Sequence, residues 1–94
     1  MSSVYSGVTF YEEDRDNGPF TIRISGTKEF VSNIRDGYYS RWGSPGKCVT
    51  LVEGWDNPAT IIYKTMDEAI RAATQVWEIE GLHTSIEVIA IESR

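Results

Sequence analysis

The chain is poor in the residues that carry most catalytic and metal chemistry. Its 94 residues include one cysteine, Cys48, and one histidine, His83. A single cysteine forms no internal disulfide, which excludes a disulfide-stapled scaffold and agrees with a reducing, cytoplasmic setting. One His and one Cys do not make a typical zinc site. Nor is a Ser or Cys nucleophile easily supplied with a base, because His83 follows the expected end of a helix, where a solvated cap residue is the simpler reading. Cys48 stands beside Lys47, which would lower a thiol pKa, yet a small buried residue is equally ordinary at the start of a strand. No apolar run approaches membrane-spanning length. The opening Met-Ser-Ser-Val-Tyr-Ser-Gly-Val has no basic region followed by an apolar stretch, so no signal peptide is expected. Cations are also scarce, 9 against 14 acids. A net charge of −5 argues against binding to duplex nucleic acid or an anionic membrane.

What is present is the composition of one small globular domain, and the chain reads as a complete small gene product. Residues 4–12 are rich in strand formers, with Gly7 marking a bulge or a late start. The polar stretch Glu12–Pro19 contains Asn17-Gly18, a tight-turn signal. Phe20–Ser25 alternates, with Phe20, Ile22 and Ile24 on one face and Thr21, Arg23 and Ser25 on the other. These segments predict a hairpin of 4–12 with 20–25. A short helix over Lys28–Arg35, closed by Gly37, is favoured over a continuing strand. Strands are expected over Tyr38–Trp42, Lys47–Glu53 and Ala59–Lys64, joined by Gly43-Ser-Pro-Gly46 and Gly54–Pro58 as an antiparallel meander.

The clearest element is a helix over Met66–Glu80. Thr65 and Glu68 form a capping box, and Ala69, Ile70, Ala73, Val76 and Trp77 make its apolar stripe. Gly81 and Leu82 suit a Schellman-type ending. Ser85–Glu92 is a final strand, apolar on both faces over Val88–Ile91 and therefore interior. Strand, helix and strand over 59–92 predict a right-handed βαβ unit. The fold class expected is α+β: a single mixed, mainly antiparallel sheet of about five strands, with one long helix on one face.

One stretch stands apart. Gly37–Lys47 packs three aromatics, two cations, three glycines and a proline into eleven residues. Arg35 to Cys48 carries a local charge of +2, against −7 for the rest. Tyr and Trp offer flat faces for stacking or burial at an interface, and Arg a planar fork for phosphate or carboxylate. Gly43–Gly46 is not a Walker loop, because the spacing fails and Lys47 leads into a strand. A likeness to the WGR domain stops at Trp42-Gly43. Ser44 stands where that family has Arg and Gly46-Lys47 where it has Gly-Gln, and the residues place the chain outside it. Trp55, in a polar turn, is a second candidate anchor.

The acidic turn with Glu12, Asp14 and Asp16 has alternating oxygen ligands. Its glycine is misplaced for an EF-hand, and Arg23 occupies the closing position, so a solvated turn is expected there. No metal, cofactor or catalytic set is expected, and the protein is not read as an enzyme. The candidate binding residues are Arg35, Tyr38, Tyr39, Arg41, Trp42, Lys47 and Trp55. The bland alternative puts Tyr38 and Trp42 in the core, with Arg41 and Lys47 on a solvated rim. The function expected is that of a small binding protein acting by protein–protein contact, an inhibitor or adaptor of the phage accessory type. The alternative is a binder of a nucleotide or cyclic nucleotide, with Tyr38, Tyr39 and Trp42 stacking the base. A homodimer through a sheet edge is a further expectation.

Overall fold

The computed structural model describes residues 2–5, 7–26, 32–42, 49–80 and 85–91, with only the backbone described at 2–5, 41–42 and 78–80. Six strands and one long helix follow in the order β1 (Ser2–Tyr5), β2 (Val8–Tyr11), β3 (Phe20–Ser25), β4 (Gly37–Trp42), β5 (Val49–Val52), α1 (Met66–Glu80) and β6 (Ser85–Ala90). One mixed sheet holds them all, in the spatial order β1-β2-β6-β3-β4-β5. Only the β2–β6 pair is parallel. The α+β class and the mainly antiparallel sheet are as expected, with one strand more than the five anticipated.

The extra strand comes from the N-terminal segment. Gly7, at φ +81°, turns the chain so that β1 and β2 form their own hairpin, with Ser2 opposite Tyr11 and Tyr5 opposite Val8. The expected hairpin of this segment with β3 does not form. β6 lies between β2 and β3, paired with both. Its Ile86, Val88 and Ala90 are buried, and Glu87 and Ile89 are half-buried, which suits an interior position. The linker Glu12–Pro19 steps across one strand, a gap of about 10 Å at ordinary strand spacing.

The helix occupies the expected span. Thr65 Oγ1 accepts from the Glu68 amide at 3.2 Å, and Glu68 Oε1 accepts from the Thr65 amide at 3.2 Å, so the capping box is formed. Met66, Ala69, Ala73 and Val76 are buried, packing on Val8, Phe20, Ile22, Ile24, Ile86 and Val88. Each of the larger side chains contributes roughly 1.5–3 kcal/mol by its burial. Ile70 and Trp77 are half-buried against the same core.

Two further expectations are corrected. The described half of the proposed Lys28–Arg35 helix is not helical: Ser32 makes an isolated parallel bridge to Val49, and Asn33–Asp36 is a bend. Asn33 uses its side chain on the β5 backbone, the kind of competing bond that disfavours Asn inside a helix. Gly37 accordingly begins β4 instead of ending a helix.

The strand expected over 59–64 shrinks to the bridge residue Tyr63. Asn57–Thr60 is drawn into a turn, with Thr60 Oγ1 donating to the Gly54 carbonyl at 2.8 Å and the Ala59 amide to Asn57 Oδ1 at 2.8 Å. The βαβ unit survives only as Tyr63, α1 and β6, with Tyr63 and β6 both antiparallel to β3. The Gly81–Leu82 ending of the helix lies outside the described residues.

Candidate functional site

β3 and β4 pair over only two positions, Arg23 with Tyr38 and Ile24 with Gly37, and then diverge. Residues 60–63 fill the gap as a wedge. The Ile61 amide donates to the Tyr39 carbonyl at 3.1 Å, and Thr21 Oγ1 donates to the Ile61 carbonyl at 3.0 Å. Phe20 and Tyr63 exchange both backbone bonds at 2.8 Å. Ile61 and Tyr63 pack against the core. Ile62, between them, is 45% exposed, and it is the large apolar side chain most open to water among the described residues.

α1 lies on one face of the sheet. On the other face, register aligns a row across five strands: Thr9 (β2), Glu87 (β6), Arg23 (β3), Tyr38 (β4) and Val52 (β5). All five are half-buried, so each keeps some contact with water. Among the described residues no helix covers this face. The Tyr11 hydroxyl donates to the Glu87 carboxylate. That bond, together with burial and the charges of Glu87, Glu13 and Asp14, pushes the Tyr11 phenol above its ordinary pKa. Arg23 Nη1 donates to Ser25 Oγ at 2.8 Å, which lays the guanidinium along β3. Four of its five N–H donors are left for other partners by this bond.

The Gly37–Lys47 stretch is divided by the sheet. Tyr38 belongs to the row just described, half-buried and opposite Arg23 and Val52. Tyr39 is 7% exposed and sits in the core, opposite Leu51. Successive strand residues point to opposite faces, so the two tyrosines cannot stack one ligand. The expectation of Tyr38, Tyr39 and Trp42 as a joint stacking set fails for that reason.

β4 then carries a bulge at Ser40, after which Arg41 stands opposite Thr50 and Trp42 opposite Val49. A bulge resets which positions share a face, and no periodicity in the sequence announces this one. The side chains of Arg41 and Trp42, and all of Lys47, Cys48 and His83, lie outside the described residues.

Arg35 is exposed in the bend before β4. Trp55 is half-buried in the turn after β5. It follows the Val52 end of β5, whereas Trp42 stands at the Val49 end, so the two tryptophans belong to opposite ends of the hairpin. The site residues missed from sequence are Arg23, Glu87, Tyr11 and Ile62. Arg23 was legible as the polar side of a strand, but only the insertion of β6 between β2 and β3 sets Glu87 opposite it and within reach of the Tyr11 hydroxyl.

The acidic turn forms a 3-10 turn at Glu12–Asp14. Arg15 ties it to the helix start, donating to Glu12 at 2.7 Å and to Asp67 at 2.6 Å. The guanidinium holds the Glu12 carboxyl below its usual range, and the Arg15 pKa is raised in turn. Among the described residues no three His, Cys, Asp or Glu side chains gather as a metal site. No described helix is long and apolar enough to cross a membrane. No protein-family model, no curated protein and no solved structure matches the chain.

Proposed function

We propose that this is a non-enzymatic binding protein that acts by protein–protein contact, as an adaptor or inhibitor, through the sheet face opposite α1. The observation that carries the reading is the registered row Thr9, Glu87, Arg23, Tyr38 and Val52 on that face. Tyr and Arg are the side chains most enriched where binding energy concentrates in protein interfaces. Here the β3–β4 pairing sets both at directly opposed positions, so less backbone ordering is required on contact. Ile62 supplies an exposed apolar side chain on the wedge beside β4. The separation of Tyr38 from Tyr39 removes the main support for a nucleotide-stacking pocket.

The test is quantitative affinity capture with three proteins: the natural chain, Arg23→Ala/Tyr38→Ala, and the control Asp16→Asn. A partner retained by the natural chain and the control, and depleted at least tenfold with the double variant, is the expected result. A capture pattern indifferent to the double variant would sink the reading. So would saturable binding of a nucleotide or cyclic dinucleotide that Arg23→Ala/Tyr38→Ala leaves unchanged.

A further inference from the structure

The two edges of the sheet are finished differently. At β5, Ser32 bridges Val49, and the Asn33 carboxamide bonds both backbone groups of Leu51, so the outer edge is closed by this chain itself. At the other end stands β1, with β2 on one side and, among the described residues, nothing on the other. Its register with β2 runs unbroken over all four pairs, so its outer N–H and C=O groups form a regular row. Proteins guard such an edge with charged side chains, proline or a bulge. Neither a charged side chain nor a proline occurs from Met1 to Tyr11. The charge present here is the N-terminal amino group, which bonds the Glu13 carboxylate and holds it below its usual range.

The two ends of this edge differ in charge. Ser2 lies opposite Tyr11, so the Ser2 end of β1 adjoins the turn that begins at Glu12. There Glu12, Glu13, Asp14 and Asp16, with Asp67 drawn in through Arg15, outnumber the cations, Arg15 and the amino group. At the Tyr5 end the described neighbours are Val8 and, packed at Gly7, Trp77, and neither is charged.

We infer that β1 is the docking edge for an extended basic segment of another protein, which adds to the sheet as an antiparallel strand with its cations at the Ser2 end. The inference is independent of the role assigned to the face opposite α1. Backbone bonds along β1 supply the ladder, and the acidic turn selects the occupant by charge. A second copy of this chain, at a net −5, would bring a second acidic turn and is the poorer fit. Antiparallel ladders are the slightly more stable kind. Because β1 runs from Ser2 to Tyr5, an antiparallel partner ends beside Ser2, and its Lys or Arg residues lie at its C-terminal end. The added strand is two strand spacings from β2, about 10 Å, so the attraction is only partly screened at about 0.1 M salt. An edge of four residues offers few bonds, and the contact is therefore weak and salt-sensitive.

The experiment is fluorescence anisotropy of labelled peptides titrated with the full chain up to about 1 mM, which reaches weak association. The first probe alternates threonine and valine and ends in lysines. The second is the same peptide in reverse order. The third has proline in place of the threonines and valines, which removes ladder donors without touching the protein. The first is expected to saturate, and the other two to bind at least tenfold more weakly, through lost charge register and lost bonds respectively. With the first probe, Glu13→Gln/Asp14→Asn is expected to weaken binding about threefold or more. Glu53→Gln/Asp56→Asn makes the same charge change at exposed residues after β5 and should stay within about a factor of two. Arg23→Ala/Tyr38→Ala, on the opposite face, should leave the probe bound as before. A first probe that does not saturate overturns the inference. So does a reversed or proline probe that binds as tightly, or an equal loss with the two charge-neutralising variants, which would mean attraction to the whole acidic chain. A loss with Arg23→Ala/Tyr38→Ala would put the probe on the other face and overturn it as well. Sedimentation of the natural chain at the same concentrations reports the rival occupant, and a dimer that the first probe fails to dissociate overturns the inference too.

Discussion

The carboxamide of Asn33 holds both backbone groups of a single residue, Leu51. Its Nδ2 donates to the Leu51 carbonyl at 2.9 Å, and its Oδ1 accepts from the Leu51 amide at 2.8 Å. A side chain thus stands in for a seventh strand at the outer edge of β5. Leu51 itself is buried, so loosening its backbone disturbs the core beneath it. Asn33→Ala is expected to cost about 1–3 kcal/mol, the range for two modest bonds lost beside a partly buried backbone. Asn33→Asp is expected to be at least as costly at neutral pH, because the carboxylate keeps the acceptor but faces the Leu51 carbonyl without a proton to offer. Chemical denaturation of both variants checks the order. A bared β5 edge should also raise aggregation above that of the natural chain.

Two glycines with nearly the same backbone should respond very differently to alanine. Gly7 has φ +81° and Gly26 has φ +75°. Either substitution carries the left-handed penalty of about 1–2 kcal/mol. A Cβ on Gly26 meets nothing within 4 Å, whereas one on Gly7 would lie 2.3 Å from Trp77 Nε1. Gly7→Ala must therefore displace the indole as well, and a further cost of about 1–3 kcal/mol is the usual toll of overpacking. The expected result is a clearly larger loss of stability for Gly7→Ala than for Gly26→Ala. Only the former should shift tryptophan fluorescence.

The helix was legible because everything that specifies it is local. Thr65, Glu68 and the stripe from Met66 to Trp77 lie within one segment, and a 3.6-residue period reports itself. The alternation of β3 and the two-sided apolarity of β6 were equally readable. Strand neighbours were not. Pairing of residues 4–12 with β3 was the natural guess from proximity in sequence, yet β6 is the better partner for both, and its choice is made by burial across more than sixty residues. The bend at Asn33–Asp36 was missed because its stabilising bonds run from the Asn33 side chain to Leu51. The candidate site suffered most from this. Tyr38 lies half-buried on the face opposite α1, but Tyr39 beside it is core, and Arg23 and Glu87 join Tyr38 only through register.

The capping box offers a check on how far local signals carry stability. Thr65→Ala removes the acceptor for the Glu68 amide, and about 1 kcal/mol is the usual loss for such a cap. Thr65→Ser should retain most of it, since Ser caps as well as Thr. Thermal denaturation followed by far-ultraviolet circular dichroism separates the two. A loss equal for Ala and Ser would mean that the methyl group of Thr65, not its hydroxyl, carries the effect.

Arg15 pairs with both Glu12 and Asp67, but all three side chains are well exposed. Solvent screening therefore decides their worth. Arg15→Gln is expected to lower the melting temperature slightly at low ionic strength. In about 1 M salt, where the screening length is roughly 3 Å, the variant and the natural protein should melt together. The lowered Glu12 pKa gives the same pair an acid signature. Its contribution is present above the ordinary carboxylate range and is lost as pH falls through the folded-state value. A difference between Arg15→Gln and the natural chain that persists in high salt would point to packing of the Arg15 stem instead.

Tyr11 provides the opposite sign at the alkaline end. Its hydroxyl is held by Glu87, and the hydrogen bond, burial and surrounding carboxylates all favour the protonated phenol in the folded chain. Below about pH 10, the ordinary phenol value, folded and unfolded chains both keep the proton, and the stabilisation is complete. As pH rises past that value the unfolded chain ionises first, and the stabilisation disappears as pH climbs through the raised folded value. Tyr11→Phe should therefore flatten the alkaline fall in stability while lowering stability at pH 7. Tyr63 is also raised, by burial alone, so spectrophotometric titration of the natural chain will show more than one late tyrosine. Removal of one late step in Tyr11→Phe assigns it. Glu87→Gln keeps an acceptor for the hydroxyl but removes the charge, and the Tyr11 step should move down toward the ordinary value without vanishing. If Glu87→Gln leaves that step where it was, burial rather than the carboxylate sets it, and the Tyr11–Glu87 bond contributes little to the face it lies on.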